Sequence, residues 1–341
     1  MKVSTRNEYG QLKSVILGRP DGANWPKGDT FFDRMQGLST YKGKLNRGPI
    51  PQDVIQKAAD DLFYMKDVLE DYDVKVWRPE LKNYSQAHTH YGAPTTGMHS
   101  YSARDLLLSV GNMVIECPTP FASRYCEFDA YDVIKQEAYR DGCRWIAAPR
   151  ARMETKEAIH VSDGPEKFKL LLTERYPIFD AANVLKFDDK LLYLKTSTAN
   201  QAGAEWLQNI VGTEFEVIVW DKVYAHAHID STIMPIKKDM ILINASRVAN
   251  AERLPKFLRS FRKLWIQDVA ERKFYKFPYA SKWIGMNVLS INEDTVMVDD
   301  VQKNLIKLLK SEGFKVLEVP LTHSRTLGGG HHCVTCDLER E

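Results

Sequence analysis

Asn287-Val288-Leu289-Ser290-Ile291, Asn292-Glu293-Asp294 and Thr295-Val296-Met297-Val298 read as a strand, a turn and a returning strand. Asp299 and Asp300 follow where a helix cap belongs. Val301, Leu305, Leu308 and Leu309 recur at helical spacing, and Gly313 ends the helix. Phe314 to Val319 is a further strand. The order is strand, strand, helix, strand, and it decides the fold because it recurs upstream. One copy runs through Leu106–Val110, Gly111-Asn112, Met113–Glu116, a helix over Ser123–Arg140, Gly142 and Arg144–Ala147. Another runs through Val184–Phe187, Asp188-Asp189, Leu191–Leu194, a helix near Asn200–Val211, Gly212 and Phe215–Val219. A third comprises Ser231–Ile236, Lys237-Lys238-Asp239, Met240–Ile243 and a helix around Lys256–Trp265. The N-terminal copy keeps Leu12–Leu17, a helix with Val54, Ile55, Ala58, Leu62, Met65 and Leu69 on its buried face, and Val74–Trp77. Its second strand is missing, and a long polar insert from Arg19 to Pro51 takes that place.

Units that cannot bury their own apolar faces must stack on one another, so repetition implies a solenoid or a closed ring. Five units of strands and one helix suit a ring, since closure removes exposed sheet edges. The C-terminus around Val334–Leu338 is expected to supply the missing strand. The competing arrangement is an open, doubly wound sheet. Reactive residue types favour the ring: Asp105, Asp180, His228 with Asp230, and Ser281 each stand just ahead of the first strand of a unit. A ring brings such equivalent positions to one axial cavity, whereas an open sheet strings them along a line.

The bulk numbers narrow the function. The 341 residues form one expected domain spanning 1–341, with 44 % hydrophobic and 27 % charged residues. The net charge is +2 and no basic stripe stands out, which argues against nucleic acid or an anionic membrane as partner. No apolar run approaches the ~20 residues of a membrane helix, and no signal-like stretch opens the chain. Five cysteines, an odd number, do not read as a disulfide framework. The expectation is a reduced, cytoplasmic protein, with room for a homodimer. Met98, Met153 and the tryptophans read as core or rim packing.

The densest chemistry lies in Gly328-Gly329-Gly330-His331-His332-Cys333-Val334-Thr335-Cys336-Asp337. Three glycines in a row allow close backbone approach or positive φ. A zinc site would crowd all its ligands into six residues, where closed zinc sites join two separated pairs. A redox Cys-x-x-Cys opens a helix, whereas Val334, Thr335 and Leu338 look like strand. A catalytic thiol behind a glycine-rich loop fits best. Such a nucleophile needs a base and the base an orienting carboxylate; His228 and Asp180 are the types on offer, though each alone also reads as an ordinary loop or turn residue.

Phe179-Asp180-Ala181-Ala182, His228-Ile229-Asp230, Ser281-Lys282-Trp283 with Met286-Asn287-Val288-Leu289, and Leu327-Gly328-Gly329-Gly330-x-His332-Cys333-x-Thr335-Cys336-Asp337 resemble the glycine amidinotransferase family. Asn7-Glu8-Tyr9 and Ala103-Arg104-Asp105 fit as well, and the motifs keep their order from Val3 to Asp337. The family includes arginine:glycine and inosamine-phosphate amidinotransferases. The resemblance implies a five-bladed α/β propeller of ββαβ units around an axial active-site cavity. It implies Cys333 as nucleophile, His228 as acid/base and Asp180 as its partner. It places Asp105 and Asp230 on a substrate guanidinium, and Arg247 and Ser281 on the carboxylate and amino end of L-arginine. No metal or organic cofactor is implied, and the small-molecule partners are L-arginine and an amine. Asn183, Ala280 and Ala227 depart from the creatine-pathway pattern, which points to an acceptor bulkier than glycine. A guanidine hydrolase of the arginine deiminase kind is the rival on the same architecture; a non-catalytic metal-binding protein is the more distant one.

Overall fold

A computed structural model describes residues 1–39, 41, 43–152, 155–160 and 167–341; Met153 lies outside them. Among the described residues, five three-stranded sheets carry the fold. In four of them the first strand pairs antiparallel with the second, and the second pairs parallel with the third. The sets are Leu107–Val110, Met113–Glu116, Arg144–Ala147; Val184–Phe187, Lys190–Leu194, Glu216–Trp220; Ile233–Lys237, Met240–Asn244, Arg262–Ile266; and Leu289–Asn292, Thr295–Val298, Lys315–Glu318. First strands are buried almost throughout, whereas third strands such as Arg144–Ala147 and Lys315–Glu318 are largely half-exposed. That gradient is the inside and outside of a ring.

The remaining sheet closes it. Thr335–Arg340 runs antiparallel to Leu12–Leu17, with Leu12 opposite Arg340 and Leu17 opposite Thr335, and Leu12–Leu17 runs parallel to Lys75–Trp77. The C-terminal strand is supplied as expected, but it is the first strand of its unit that the N-terminal copy lacks. Leu12–Leu17 is the second strand, since only a second strand lies parallel to the strand beyond the helix. Apolar clusters seal every junction: Ile16 with Leu107 and Leu338, Leu108 with Val184, Leu185 with Ile233 and Val296, and Val15 and Leu17 with Leu289 and Met297. The sheets and the α-helices Gln52–Glu70, Asp132–Arg140, Gln201–Val211 and Lys303–Ser311 define an α/β propeller.

Two local expectations need correcting. The fourth unit has no helix over Lys256–Trp265; 3₁₀ turns Ala251–Arg253 and Lys256–Leu258 lead straight into Arg262–Ile266. Pro255 removes a backbone donor, and Trp265 pairs with Ile243 as a strand residue instead. Nor is the Arg19–Pro51 insert merely polar. Its helix Thr30–Gly37 buries Phe31, Phe32 and Met35. The cap Asp29 accepts from Phe32 N at 2.9 Å and from the Ser123 hydroxyl at 2.7 Å, which fastens the insert to the second unit. Among the described residues no helix is long and apolar enough to cross a membrane.

Buried charges join the units at the axis. Arg104 reaches Asp337 at 2.7 Å and Glu8 at 3.2 Å, and its Nε donates to the His332 and Thr335 carbonyls. Lys186 approaches Glu8 at 3.2 Å, and Arg340 donates to Asp337 and to the Ser290 carbonyl. Burial disfavours an ionised Asp337, but Arg104 and Arg340 outweigh it and hold the carboxyl down at about 2. A depressed folded pKa gives stability that is present above the ordinary carboxylate range and is lost as pH falls through about 2. Arg104→Ala leaves Glu8 and Asp337 underpaired in the core, so urea unfolding should show a loss of roughly 3–5 kcal/mol. A loss within experimental error would show that the network is dispensable.

Candidate active site

Each sheet delivers one short segment to the axis just ahead of its first strand. Asp105 ends the 3₁₀ turn Ala103–Asp105 before Leu107, and Asp180 precedes the turn Ala181–Asn183 before Val184. His228 and Asp230 lie ahead of Ile233, and Ser281 caps the turn Lys282–Met286 ahead of Leu289. Because Thr335–Arg340 is a first strand, Cys333 occupies the fifth equivalent place, two residues before it. The glycine-rich loop serves backbone approach: a Cβ on Gly330 would lie 2.7 Å from Asn287 Cβ. That closeness lets Cys333 N donate to Asn287 Oδ1 at 3.0 Å.

His228 Nε2 meets Asp180 Oδ2 at 3.0 Å, while Nδ1 stands 3.7 Å from Asp105 Oδ1. The residue holds φ at 62°, a left-handed conformation that costs a β-carbon-bearing residue free energy and turns the ring inward. Burial works against the imidazolium, but Asp105 and Asp180 outweigh it and push His228 up to about 9. Cys333 Sγ donates to Asp230 Oδ2 at 3.4 Å. Burial, then the charges of Asp230 and Asp105, push its thiol well above the usual range. Asp105 takes Arg124 Nη1 on Oδ2 at 2.6 Å and leaves Oδ1 without a hydrogen bond. Burial raises its pKa despite His228 and Arg124.

These groups share a cavity of about 480 Å³, within the range of small-molecule sites. Cys333, His228, Asp105, Asp230 and Ser281 line it, with Asp180 behind His228. Arg247 stands behind the wall, stacked on Tyr224 at 3.5 Å and bonded to Ser231, Thr232 and, at 3.5 Å, Ser281 Oγ. Ala227 and Ala280 line the cavity. Asn183 does not belong with them, because its amide is spent on Leu194 O, Thr196 and Thr198 inside the third unit. His331 bonds Val319 O at 3.0 Å, and among the described residues no cluster of three or more His, Cys, Asp or Glu is arranged to hold a metal ion.

Several residues of the site escaped the sequence. Arg124 and His99 line the cavity, and Phe32, Met35 and Tyr41 of the insert form one wall. Glu127, fully buried, binds Arg124 through both oxygens; burial raises it to about 7 although Arg124 opposes. The signal available was charge within otherwise buried stretches, as in Arg124 and Glu127 beside Tyr125 and Phe128.

A ring of ββαβ units whose loops converge on one reactive cavity defines an α/β propeller with a thiol, a histidine and carboxylates at its axis. The inosamine-phosphate amidinotransferase 1 of Streptomyces griseus is 38 % identical, over 99 % of this chain and 97 % of that one. The L-arginine:L-lysine amidinotransferase of Pseudomonas savastanoi pv. phaseolicola is 31 % identical, over 99 % and 94 %. The solved inosamine-phosphate amidinotransferase structure from Streptomyces griseus superposes with a TM-score of 0.90 at 37 % identity, covering 99 % of this chain and 97 % of that one. No protein-family model matches the chain. The chain belongs to the amidinotransferase family, and its activity is transfer of an amidino group.

Removing a like charge should ease ionisation of the thiol. Asp230→Asn is expected to lower the pH midpoint for iodoacetamide alkylation of Cys333 by about one unit, read by peptide mass mapping. An unchanged midpoint would mean that the Asp230 charge does not bear on the thiol.

Proposed function

We propose that the protein moves the amidino group of L-arginine to an amine larger than glycine, through a covalent amidino-cysteine on Cys333. The observation that carries this reading is a buried thiol facing two carboxylates, Asp105 and Asp230, beside a histidine held protonated. An anionic, desolvated cleft is a poor home for a thiolate alone and a good one for a planar cation. An entering guanidinium neutralises the carboxylates and lets Cys333 ionise in its presence, the thiol proton leaving to solvent.

The guanidinium carbon is a resonance-stabilised, weak electrophile. Two carboxylates fix its plane and hold it against the sulfur, a proximity gain that can reach several kcal/mol. A C–S bond forms, His228 gives its proton to the departing nitrogen, and L-ornithine leaves. The acceptor amine attacks the same carbon after His228, now neutral, takes its proton; the C–S bond breaks and Cys333 is regenerated. Asp180 keeps the imidazole oriented throughout. Sequential use of one cavity gives ping-pong kinetics. Ser281, with Arg247 behind it, is suited to the arginine carboxylate and amino end. Ala227 and Ala280 leave room in the wall that a two-carbon amino acid would not fill, and unfilled space contributes no contacts.

Incubation with L-arginine alone should add an amidino mass to Cys333 and none to the Cys333→Ala variant; the mass on Cys336 instead would sink the assignment. Asp105→Asn and Asp230→Asn should each cost on the order of 2–4 kcal/mol in kcat/KM. The falling limb of kcat/KM should lie near 9, where His228 loses its proton. Asp180→Asn withdraws an anion that favours the imidazolium, so the limb should move to lower pH. At fixed arginine, larger amines should exceed glycine in kcat/KM; glycine leading tenfold or more would overturn the acceptor class.

A further inference from the structure

His332 adjoins Cys333 in the chain, is 1 % exposed, and does not line the cavity. Its Nδ1 lies 3.0 Å from Asp230 Oδ2 and its Nε2 lies 3.3 Å from Glu8 Oε2. The same Asp230 oxygen receives the Cys333 thiol. A neutral imidazole has one bare nitrogen, and a bare nitrogen facing a carboxylate oxygen is repelled unless that carboxyl carries a proton. An Nδ1–H facing the Asp230 oxygen is therefore the arrangement that bonds rather than repels. Glu8 also faces Lys186 at 3.2 Å and Arg104 at 3.2 Å. Asp230 faces His332, Cys333, His228 and, at longer range, Arg104. Burial opposes ionisation of both acids, yet Lys186 and Arg104 hold Glu8 well below the usual range, and His332 and His228 lower Asp230.

We propose that His332 positions Asp230: held against Glu8 through Nε2, it donates from Nδ1 to the Asp230 carboxylate and aims it at the incoming guanidinium. The inference rests on Asp230 being a guanidinium partner. His332 touches no reacting atom and acts only through Asp230. It also links the structural charges at the axis to the substrate-facing ones, since Glu8 is shared with Arg104 and Lys186. An ionised Asp230 without this donor would carry its charge directly against the thiol, or would take up a proton and stop attracting the substrate.

Two variants separate positioning from packing. In His332→Asn the amide reaches the Nδ1 position and still donates to Asp230; in His332→Gln it reaches the Nε2 position and donates to Glu8 alone. We expect His332→Gln to raise KM for L-arginine roughly tenfold or more, with the acid limb of kcat/KM moved to higher pH, and His332→Asn to retain most of the wild-type KM. Equal losses in the two variants would overturn the positioning role. Histidine-selective nitrogen NMR of the unliganded wild-type protein should show the His332 Nδ1 carrying a proton; a bare Nδ1 would overturn the proposal, whether or not the variants fold. Wild-type protein inactive on L-arginine would instead overturn the donor assignment, and the NMR result would still decide the state of His332.

Discussion

Charge buried at the axis is the constraint on which the ring depends. Glu8 and Asp337 are both essentially inaccessible, and neither could remain ionised there alone. Arg104 from the second unit, Lys186 from the third and Arg340 from the C-terminal strand surround them, and Arg340 also reaches the fifth unit through Ser290 O. Removing one partner strands another, so the first, second, third and fifth units cannot drift apart independently. Apolar packing between sheets supplies most of the driving force, while the ionic centre specifies which unit stands where.

The same desolvation shapes the chemistry one layer further in. Asp105, Asp180 and Asp230 are nearly inaccessible, and Cys333 and His228 share their enclosure. Low local polarity strengthens every Coulombic term, so the histidine gains a proton and the thiol keeps one. Such a site rests in a charge state suited to a cation that has not yet arrived. The enclosure is completed by Phe32 and Met35 of the insert, which reach across from the first unit to the loop that carries His228, where His226 meets Met35 O at 3.3 Å.

The ββαβ repeat was legible because inner strands, buried on both faces, become nearly continuous apolar runs such as Leu107-Leu108-Ser109-Val110 and Val184–Phe187. Gly142, Gly212 and Gly313 marked the ends of the helical stretches, each at positive φ. In the fourth unit Phe257, Phe261 and Trp265 recur at helical spacing, yet this pattern is equally satisfied by the 3₁₀ turn and strand found there. Arg124 and Glu127 stayed hidden for a different reason: each is unremarkable in sequence, and their meaning comes from a mutual contact made in the dark.

Residue types and local periodicity therefore pointed to the repeat, its number and the strand to be supplied by the C-terminus, and the resemblance in motif order singled out the cysteine, histidine and carboxylates. These depend on short-range pattern and on motif order. The tertiary structure decided that the supplied strand is a first strand, which sets Cys333 level with Asp105, Asp180, Asp230 and Ser281. It decided that Asn183 faces inward and that Ala227 and Ala280 face the cavity. It also joined Glu8 to His332 across nearly the whole chain. Which atoms meet and how much water surrounds them are properties of the closed ring, and charge states follow from those two quantities.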